Sequence, residues 1–471
     1  MAKIPHWLAL LSRSAALIVS VVAAVAAVEA ALASGAMPRE AAYMAGIFVL
    51  AALLWMTEAL PLFATALLVV GLQLVLLANP GGWPGLGFEA GASPGYRDIV
   101  AAAADPVLLL FFGGFLLAQA AVKEGVDRSM SALLLRPFGD RPAAALAGVM
   151  AVTALFSMFM SNTATTAMML ALVAPMLARM GPAEPFRRGI VLAVPFAANI
   201  GGMGTPIGSP PNAVAMGQLQ QAGIPLRFLD WMVVAVPLLA LCLAFAGWLL
   251  WRLHRPRDPT LRVTVTPGPV GARGWLVVVV FAVTVLLWLT DSWHGLPAAV
   301  VSLLPAVVLT ATRTLTADDL QRIDWSVLIL IAGGISLGAG MTMTGLDRIV
   351  VGWLPIGPGH AVAWLLAVLA VATLVLSTFM SNTAAANLLL PIGLSATFAI
   401  AGEGALPEVA ISIALAASLA MALPISTPPN AMAHATREFD TRQMARAGAL
   451  IGVVGTLVVV LAVPALVRLL S

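Results

Sequence analysis

An eight-residue string occurs twice in this chain, 220 residues apart. Ser157-Met158-Phe159-Met160-Ser161-Asn162-Thr163-Ala164 matches Ser377-Thr378-Phe379-Met380-Ser381-Asn382-Thr383-Ala384 at seven of eight positions. At the same offset Gly113-Gly114 returns as Gly333-Gly334, and Gly125, Asp127 and Arg128 return as Gly345, Asp347 and Arg348. Downstream, Pro206-Ile207-Gly208-Ser209-Pro210-Pro211-Asn212-Ala213 answers Pro424-Ile425-Ser426-Thr427-Pro428-Pro429-Asn430-Ala431 at offset 218. Four landmarks in one order describe a duplicated unit. Whatever this chain folds into must be buildable twice.

The unit is made for lipid. Of 471 residues 61% are hydrophobic and 10% charged, and the mean hydropathy is +1.01. Soluble domains carry about 25% charged residues, so a soluble enzyme is excluded and a polytopic membrane protein is expected. Apolar stretches able to cross about 30 Å of hydrocarbon fall near 15–33, 41–60, 62–78, 106–122, 187–217, 231–251, 275–290, 297–312, 326–344, 407–433 and 447–469, eleven in all. Two more, 143–181 and 361–400, are broken at the centre by a polar cluster and read as re-entrant hairpins, tolerated only where protein or a water-filled cavity covers the tip. Residues 1–35 also have the outline of a signal peptide, with Lys3, Arg13 and Ala31-Leu32-Ala33, but their apolar run is long enough to span.

Parity sets the geometry. Five crossings separate the span at 106–122 from its counterpart at 326–344, and an odd number makes the second copy inverted. With the N-terminus inside, 19 of the 24 Lys and Arg fall on the cytoplasmic side, as the positive-inside rule requires; a hairpin that crossed once would reverse everything after it. The expected fold is an all-α polytopic membrane protein of about 11 transmembrane helices plus two re-entrant hairpins in an inverted repeat, N-terminus cytoplasmic and C-terminus outside. Its parts are an N-terminal segment with the first span (1–40), a first repeat (41–252, hairpin 143–181, unwound segment 201–212), a cytoplasmic linker (253–274) and a second repeat (275–471, hairpin 361–400, unwound segment 424–430). Inverted repeats with helices interrupted near the midplane are the architecture of secondary transporters.

Each Ser-Asn-Thr cluster lies where one hairpin arm ends and the next begins, at helix N-cap positions. The hydroxyls, the amide and the free N–H groups of the following turn can face a ligand, and the positive helix end favours an anion. The Pro-Pro-Asn segments cannot donate backbone hydrogen bonds and are expected to break their helices. The carbonyls so freed are oxygen ligands for a small hard cation. No Lys or Arg lies in either tip or either unwound segment. An anion bound there needs countercharge, and a co-bound cation supplies it. An ion-pumping antiporter would carry carboxylates at the midplane, and these motifs hold none.

Other residues are weaker candidates. Glu58, in Trp55-Met56-Thr57-Glu58-Ala59-Leu60-Pro61, borders a tight turn, and a structural role suits it better than proton coupling. His434 follows Asn430 by four residues and reads as a helix-end histidine. Asp318-Asp319 lacks the partners of a metal–diphosphate site. The histidines are scattered without ligand spacing, Cys242 is the sole cysteine, and no phosphate loop, nucleophile elbow or zinc motif appears. No basic cluster interleaved with aromatics suggests nucleic acid. An intramembrane enzyme needs an acid–base or metal constellation, and none is found; a passive channel would give currents without substrate saturation.

The paired tips, the Pro-Pro-Asn segments and Thr57-Glu58-Ala59-Leu60-Pro61 together resemble the divalent anion–sodium symporter (DASS) family, from about residue 41 to 469. The resemblance implies a homodimer in the cell (inner) membrane, with an elevator-type transport domain moving against a scaffold domain. It implies no catalytic residues and no cofactor, only sodium as coupling ion at two sites. Substrate carboxylates would contact Ser161, Asn162, Thr163, Ser381, Asn382, Thr383, Thr427 and Pro428. One sodium would sit by Ser157, Ser161, Asn162 and the Gly208 carbonyl, the second by Ser377, Asn382, Ser426 and the Met380 carbonyl. The function implied is sodium-coupled import of C4-dicarboxylates such as succinate, malate and fumarate. Alternatives on the same fold are a sodium-independent dicarboxylate, tartrate or citrate exchanger and a sulfate transporter. Ser209 stands where the family's first unwound segment usually has Thr, keeping a hydroxyl for the substrate. Asn387 follows the second tip where the family is usually apolar or small, and could extend the substrate contacts.

Overall fold

The computed structural model describes residues 6–83, 94–138, 141–257, 268–353 and 362–470, with side chains from residue 13 onward. Lys3 and Arg262, the first residue of the second hairpin (361) and residues 258–267 of the linker lie outside them. Every described regular element is a helix. The chain is an all-α polytopic membrane protein: among the described residues, nine helices are long and apolar enough to cross a bilayer.

Seven of the eleven expected spans are single helices: Arg13–Ser34, Arg39–Thr57, Val107–Lys123, Phe228–Leu253, Ala272–Leu289, Trp325–Met343 and Thr441–Val467. The other four are interrupted. Leu62–Leu72 runs into a π-helical turn, Gln73–Leu77, an insertion that bends a helix. The span at 297–312 comes as Ala298–Val301 and Leu303–Ala311, with Pro305 unable to donate to the preceding turn. The remaining two are Pro185–Gly201 with Pro210–Gln221, and Leu406–Ser418 with Pro428–Ala435. Each hairpin is two helices about a short tip. Pro142–Ser157 and Asn162–Ala178 are 16 and 17 residues long. Val362–Phe379 and Asn382–Ala401 are longer, and each is apolar enough to cross on its own. The duplication is also conformational, since Gly125 and Gly345 adopt φ of 68° and 69° before the helices Val126–Leu135 and Leu346–Trp353.

The chain forms two compact units, each drawing on both sequence copies. The first comprises Met1–Leu108, Val214–Pro225 and Trp325–Ile413. Its core gathers Met44, Ile47, Trp55, Val69, Leu77, Leu337, Met341 and Leu388. Trp55 also bridges the turn to the next helix, donating from Nε1 to Leu62 O at 3.1 Å. Glu58 ends its helix exposed and left-handed, φ 49°, so it serves the turn. The helix Trp325–Met343 carries Gly333, Gly334, Gly338 and Gly340, and three buried amides from neighbouring segments lie against its backbone. Gln73 Nε2 donates to Ser336 O (3.2 Å), Gln218 Nε2 to Gly334 O (3.3 Å) and Asn387 Nδ2 to Leu330 O (3.4 Å). A Cβ on Gly334 would stand 1.9 Å from Asn387 Oδ1, so only glycine admits that amide.

The second unit comprises Leu109–Ala213, Leu226–Asp324 and Ala414–Ser471. It holds the first hairpin, the helix Pro185–Gly201, both breaks and the helix Pro428–Ala435. Phe228 stacks on Trp288 at 4.9 Å. A Cβ on Gly113 would lie 2.4 Å from Ser302 O, which explains that landmark glycine as a close helix approach. Asp319 pairs with Lys123 and caps a short helix, Ala317–Gln321. It accepts from Lys123 Nζ at 2.6 Å and from Thr316 N at 2.8 Å.

Candidate functional site

In the second unit the first tip closes against the first interrupted helix. Ser161 is the N-cap of Asn162–Ala178, its hydroxyl accepting from Ala164 N at 3.2 Å; Asn162 and Thr163 open the helix itself. Ser157 is fully buried, and its hydroxyl lies 2.8 Å from Ala198 O and 2.7 Å from Asn162 Oδ1. The Asn162 oxygen faces acceptors alone: Ala198 O at 3.2 Å, Gly208 O at 3.3 Å and Ser157 Oγ at 2.7 Å. Turning the amide over would present two N–H protons to three acceptors. With the amide nitrogen inward the cluster is hydrogen-bonded within itself; with the oxygen inward four oxygens converge, an arrangement that a small hard cation would satisfy. Gly202 makes room, since a Cβ there would meet Asn162 Oδ1 at 2.6 Å. Of the first expected sodium ligands, Ser157, Asn162 and the Gly208 carbonyl come together, with the Ala198 carbonyl added. The Ser161 hydroxyl is engaged in its cap.

The second tip, in the first unit, is built from the same residues with fewer bonds. Ser381 is the N-cap of Asn382–Ala401 and its side chain makes no cap hydrogen bond. The Ser377 hydroxyl and Asn382 Oδ1 are buried with no hydrogen-bond partner. Thr383 and Met380 are buried as well. Asn387 Oδ1 is another buried acceptor without a partner, and its amide nitrogen faces the glycine-lined helix. Unsatisfied buried polar atoms cost about 1–3 kcal/mol each, so the two in this tip are costly as they stand.

The expectation that the Pro-Pro-Asn segments break their helices is corrected. The breaks cover 202–209 and 419–427, and the prolines begin the helices that follow, Pro210–Gln221 and Pro428–Ala435. Proline suits a first helical turn, where its missing N–H would have no partner. The asparagines hold the breaks together. Asn212 Nδ2 donates to Gly202 O (2.9 Å) and Thr205 O (2.8 Å); Asn430 Nδ2 donates to Met421 O and Leu423 O, both at 3.0 Å. These carbonyls are therefore already engaged, while Gly208 O faces the first tip. Ser209 is buried and accepts from Ser418 Oγ at 3.4 Å. Thr427 caps Pro428–Ala435, accepting from Asn430 N at 3.3 Å. Ser426 Oγ accepts from Leu423 N at 3.2 Å, and Pro428 is exposed. His434 contacts Thr441 Oγ1 at 3.2 Å and packs on Phe439, a helix-end role.

Two residues outside every motif join the copies. Asn199, 1% exposed, donates from Nδ2 to Thr427 Oγ1 (3.2 Å) and to Asn430 Oδ1 (3.1 Å). Arg187 pairs with Glu438. A lone asparagine in the apolar run 189–200 is the signal that could have found the first. Nothing in the sequence sets Arg187 apart from the other arginines between the apolar stretches.

This geometry of neutral, oxygen-rich tips and held-open helices agrees with what the chain resembles. Residues 52–397 match the profile described as CitMHS, citrate transporter. The chain belongs to the citrate transporter family. It is 31% identical over 446 residues to an uncharacterised transporter of Haemophilus influenzae, covering 90% of this chain and 92% of that one. It is 28% identical over 462 residues to the sodium-dependent dicarboxylate transporter SdcS of Staphylococcus saprophyticus, covering 89% and 85%. Among solved structures, the YdaH transporter of Alcanivorax borkumensis superposes with a TM-score of 0.54 at 14% identity, over 85% of this chain and 97% of that one; that likeness speaks for the fold. The resemblance to the divalent anion–sodium symporters stands, and the chain is a membrane transporter, not an enzyme.

Proposed function

We propose that this chain is a sodium-coupled importer of C4-dicarboxylates such as succinate, malate and fumarate. It works in the cell membrane as a homodimer of inverted repeats, N-terminus cytoplasmic, by an elevator movement. The observation that carries the reading is the convergence of Ser157 Oγ, Asn162 Oδ1, Ala198 O and Gly208 O. Ser157 donates one proton within this cluster; with the Asn162 oxygen turned inward its oxygens suit a cation, and a cation there supplies the countercharge that a dianion at the neutral tip requires. The orphaned Ser377 hydroxyl and Asn382 oxygen support a second ion. The name of the SdcS relative, a sodium-dependent dicarboxylate transporter, is in keeping with sodium coupling. In this reading Ser161, Asn162, Thr163, Ser209, Ser381, Asn382, Thr383, Thr427 and Pro428 are the substrate contacts, and each sodium couples by supplying charge that offsets the bound dianion's.

The test is uptake of radiolabelled succinate into proteoliposomes. An inward sodium gradient should drive it, and equal uptake with choline in place of sodium would sink the coupling. A second reading, exchange of dicarboxylate, tartrate or citrate without sodium, draws on the citrate transporter profile; it wins if internal succinate alone drives uptake. Sulfate belongs in the same substrate panel.

A further inference from the structure

The feet of three functional segments in the second unit meet on one side chain. Arg187 stands in the first turn of Pro185–Gly201, the helix that ends at the first break. Its Nη1 donates to Leu177 O (2.7 Å) and Met180 O (3.0 Å) at the foot of the returning hairpin arm Asn162–Ala178. Its Nε donates to Glu438 Oε2 at 3.0 Å, and Nη2 pairs with Glu438 Oε1. Glu438 follows the helix Pro428–Ala435, whose cap is Thr427. The fork of a guanidinium makes all four bonds at once, which an ammonium cannot. Both side chains are about four-fifths buried, with 18% and 22% exposure.

At their other ends the same three segments carry Asn162, the Ala198 carbonyl with Asn199, and Thr427 with Asn430. Asn199 cross-links the heads of the two interrupted helices, and Arg187 ties the feet. Pro175 and Pro195 lie inside the first two helices, each removing a ladder hydrogen bond between foot and head. The helices alone therefore do not fix the heads, and the feet must be held. The backbone is bent to bring Glu438 into place. Arg437 adopts φ 61°, a left-handed conformation strained for any residue with a bulky side chain. The tie is single, because the repeat-related positions are Pro407 and Gln220.

We propose that Arg187 and Glu438 are positioning residues that set the spacing of the oxygen cluster around Asn162, and through it the affinity for the coupling ion. This rests on the sodium-coupled reading above. Glu438→Gln keeps a neutral acceptor but loses the charge pair, leaving the hairpin foot capped by Arg187. In proteoliposomes the sodium half-saturation for succinate uptake should rise about tenfold, while the rate at saturating sodium stays within about twofold of wild type. Glu438→Asp should recover most of the affinity. Arg187→Lys should weaken sodium similarly, and adding Glu438→Gln to it should cost little more, since both break one network.

The wild-type control separates the two ideas. Wild-type uptake indifferent to sodium removes the coupling reading. Sodium-driven wild-type uptake with unchanged half-saturation in Glu438→Gln removes this one. A fall in maximal rate and thermal stability at constant half-saturation would mark the pair as structural only, and also overturns it.

Discussion

The two tips share seven of eight residues and differ in how completely they are bonded. At the first, Ser161 makes its cap bond and Ser157 and Asn162 lie against the carbonyls of Ala198 and Gly208. At the second, Ser381 makes no cap bond, and the Ser377 hydroxyl and Asn382 oxygen are buried without partners. One motif thus yields a preformed oxygen cluster in one place and an unsatisfied one in the other. The difference teaches that a sequence repeat specifies the available ligand atoms, whereas the surroundings decide how many are already engaged. A preformed site loses little conformational freedom when its ion enters; an unsatisfied one gains more from being filled.

The sharpest break of that comparison is removal of the amides. Asn162→Ala and Asn382→Ala should each reduce succinate uptake at least about a hundredfold, because each removes an atom assigned to both anion and cation. They should part in stability: the Asn162 variant loses contacts, whereas the Asn382 variant removes an unsatisfied acceptor and should melt no lower than wild type without sodium. Near-normal uptake by both would refute the site assignment.

Gly202→Ala probes the first tip from the opposite wall. Its Cβ would press on the Asn162 amide at 2.6 Å and on Gly208 O at 3.0 Å, so Asn162 must turn away. Sodium half-saturation should rise on the order of tenfold, with succinate affinity following only through the ion. A change in succinate affinity that persists at saturating sodium would place Asn162 on the substrate alone.

The serines give a smaller, signed difference. Ser157→Ala leaves Ala198 O without its donor and should destabilise by about 1 kcal/mol, while Ser377→Ala deletes a hydroxyl that bonds nothing and should be neutral or slightly stabilising. Ser157→Ala should also raise the sodium requirement more than it weakens succinate binding. Melting curves in detergent with and without sodium read both effects, and equal destabilisation by the two variants would erase the distinction between the tips.

These residues also show what is legible in sequence. The tips are readable because the motif occurs twice and breaks an apolar run, and the interrupted helices because proline and glycine cluster in them. The work of Asn212 and Asn430 is not readable. Their acceptors lie seven to ten residues upstream in irregular backbone, where no periodicity predicts a partner. Asn199 reaches 231 residues along the chain and Arg187 reaches 251. Each exists in one copy, so the repeat gives no hint. The other two interrupted spans, 62–78 and 297–312, read as continuous because hydropathy is blind to a π turn or to a one-residue break in an apolar run.

The smallest effect concerns pH and again separates the unit holding the first tip from the unit holding the second. His254 follows Phe228–Leu253 and is buried beside Gly189. Burial, reinforced by the charge of Arg188, lowers its pKa to about 4. A depressed histidine is bound neutral in the fold, so its stabilisation is complete above about pH 6.5 and is lost as pH falls through 4. Asp319 enters later: burial raises its pKa, but Lys123 and Thr316 outweigh that and bring it to about 2. Its contribution is present above the ordinary carboxylate range and lost only below it. Asp127, pushed upward by burial, works in the opposite sense, losing stabilisation as pH rises. Comparison with His254→Gln isolates the histidine. Between pH 6.5 and 4.5, amide exchange in Pro185–Gly201 and Phe228–Leu253 should quicken in wild type, less so in His254→Gln, while Trp325–Met343 and Asn382–Ala401 stay protected. Equal acceleration in both units would mean that the two tips, however differently bonded, do not lose their support separately.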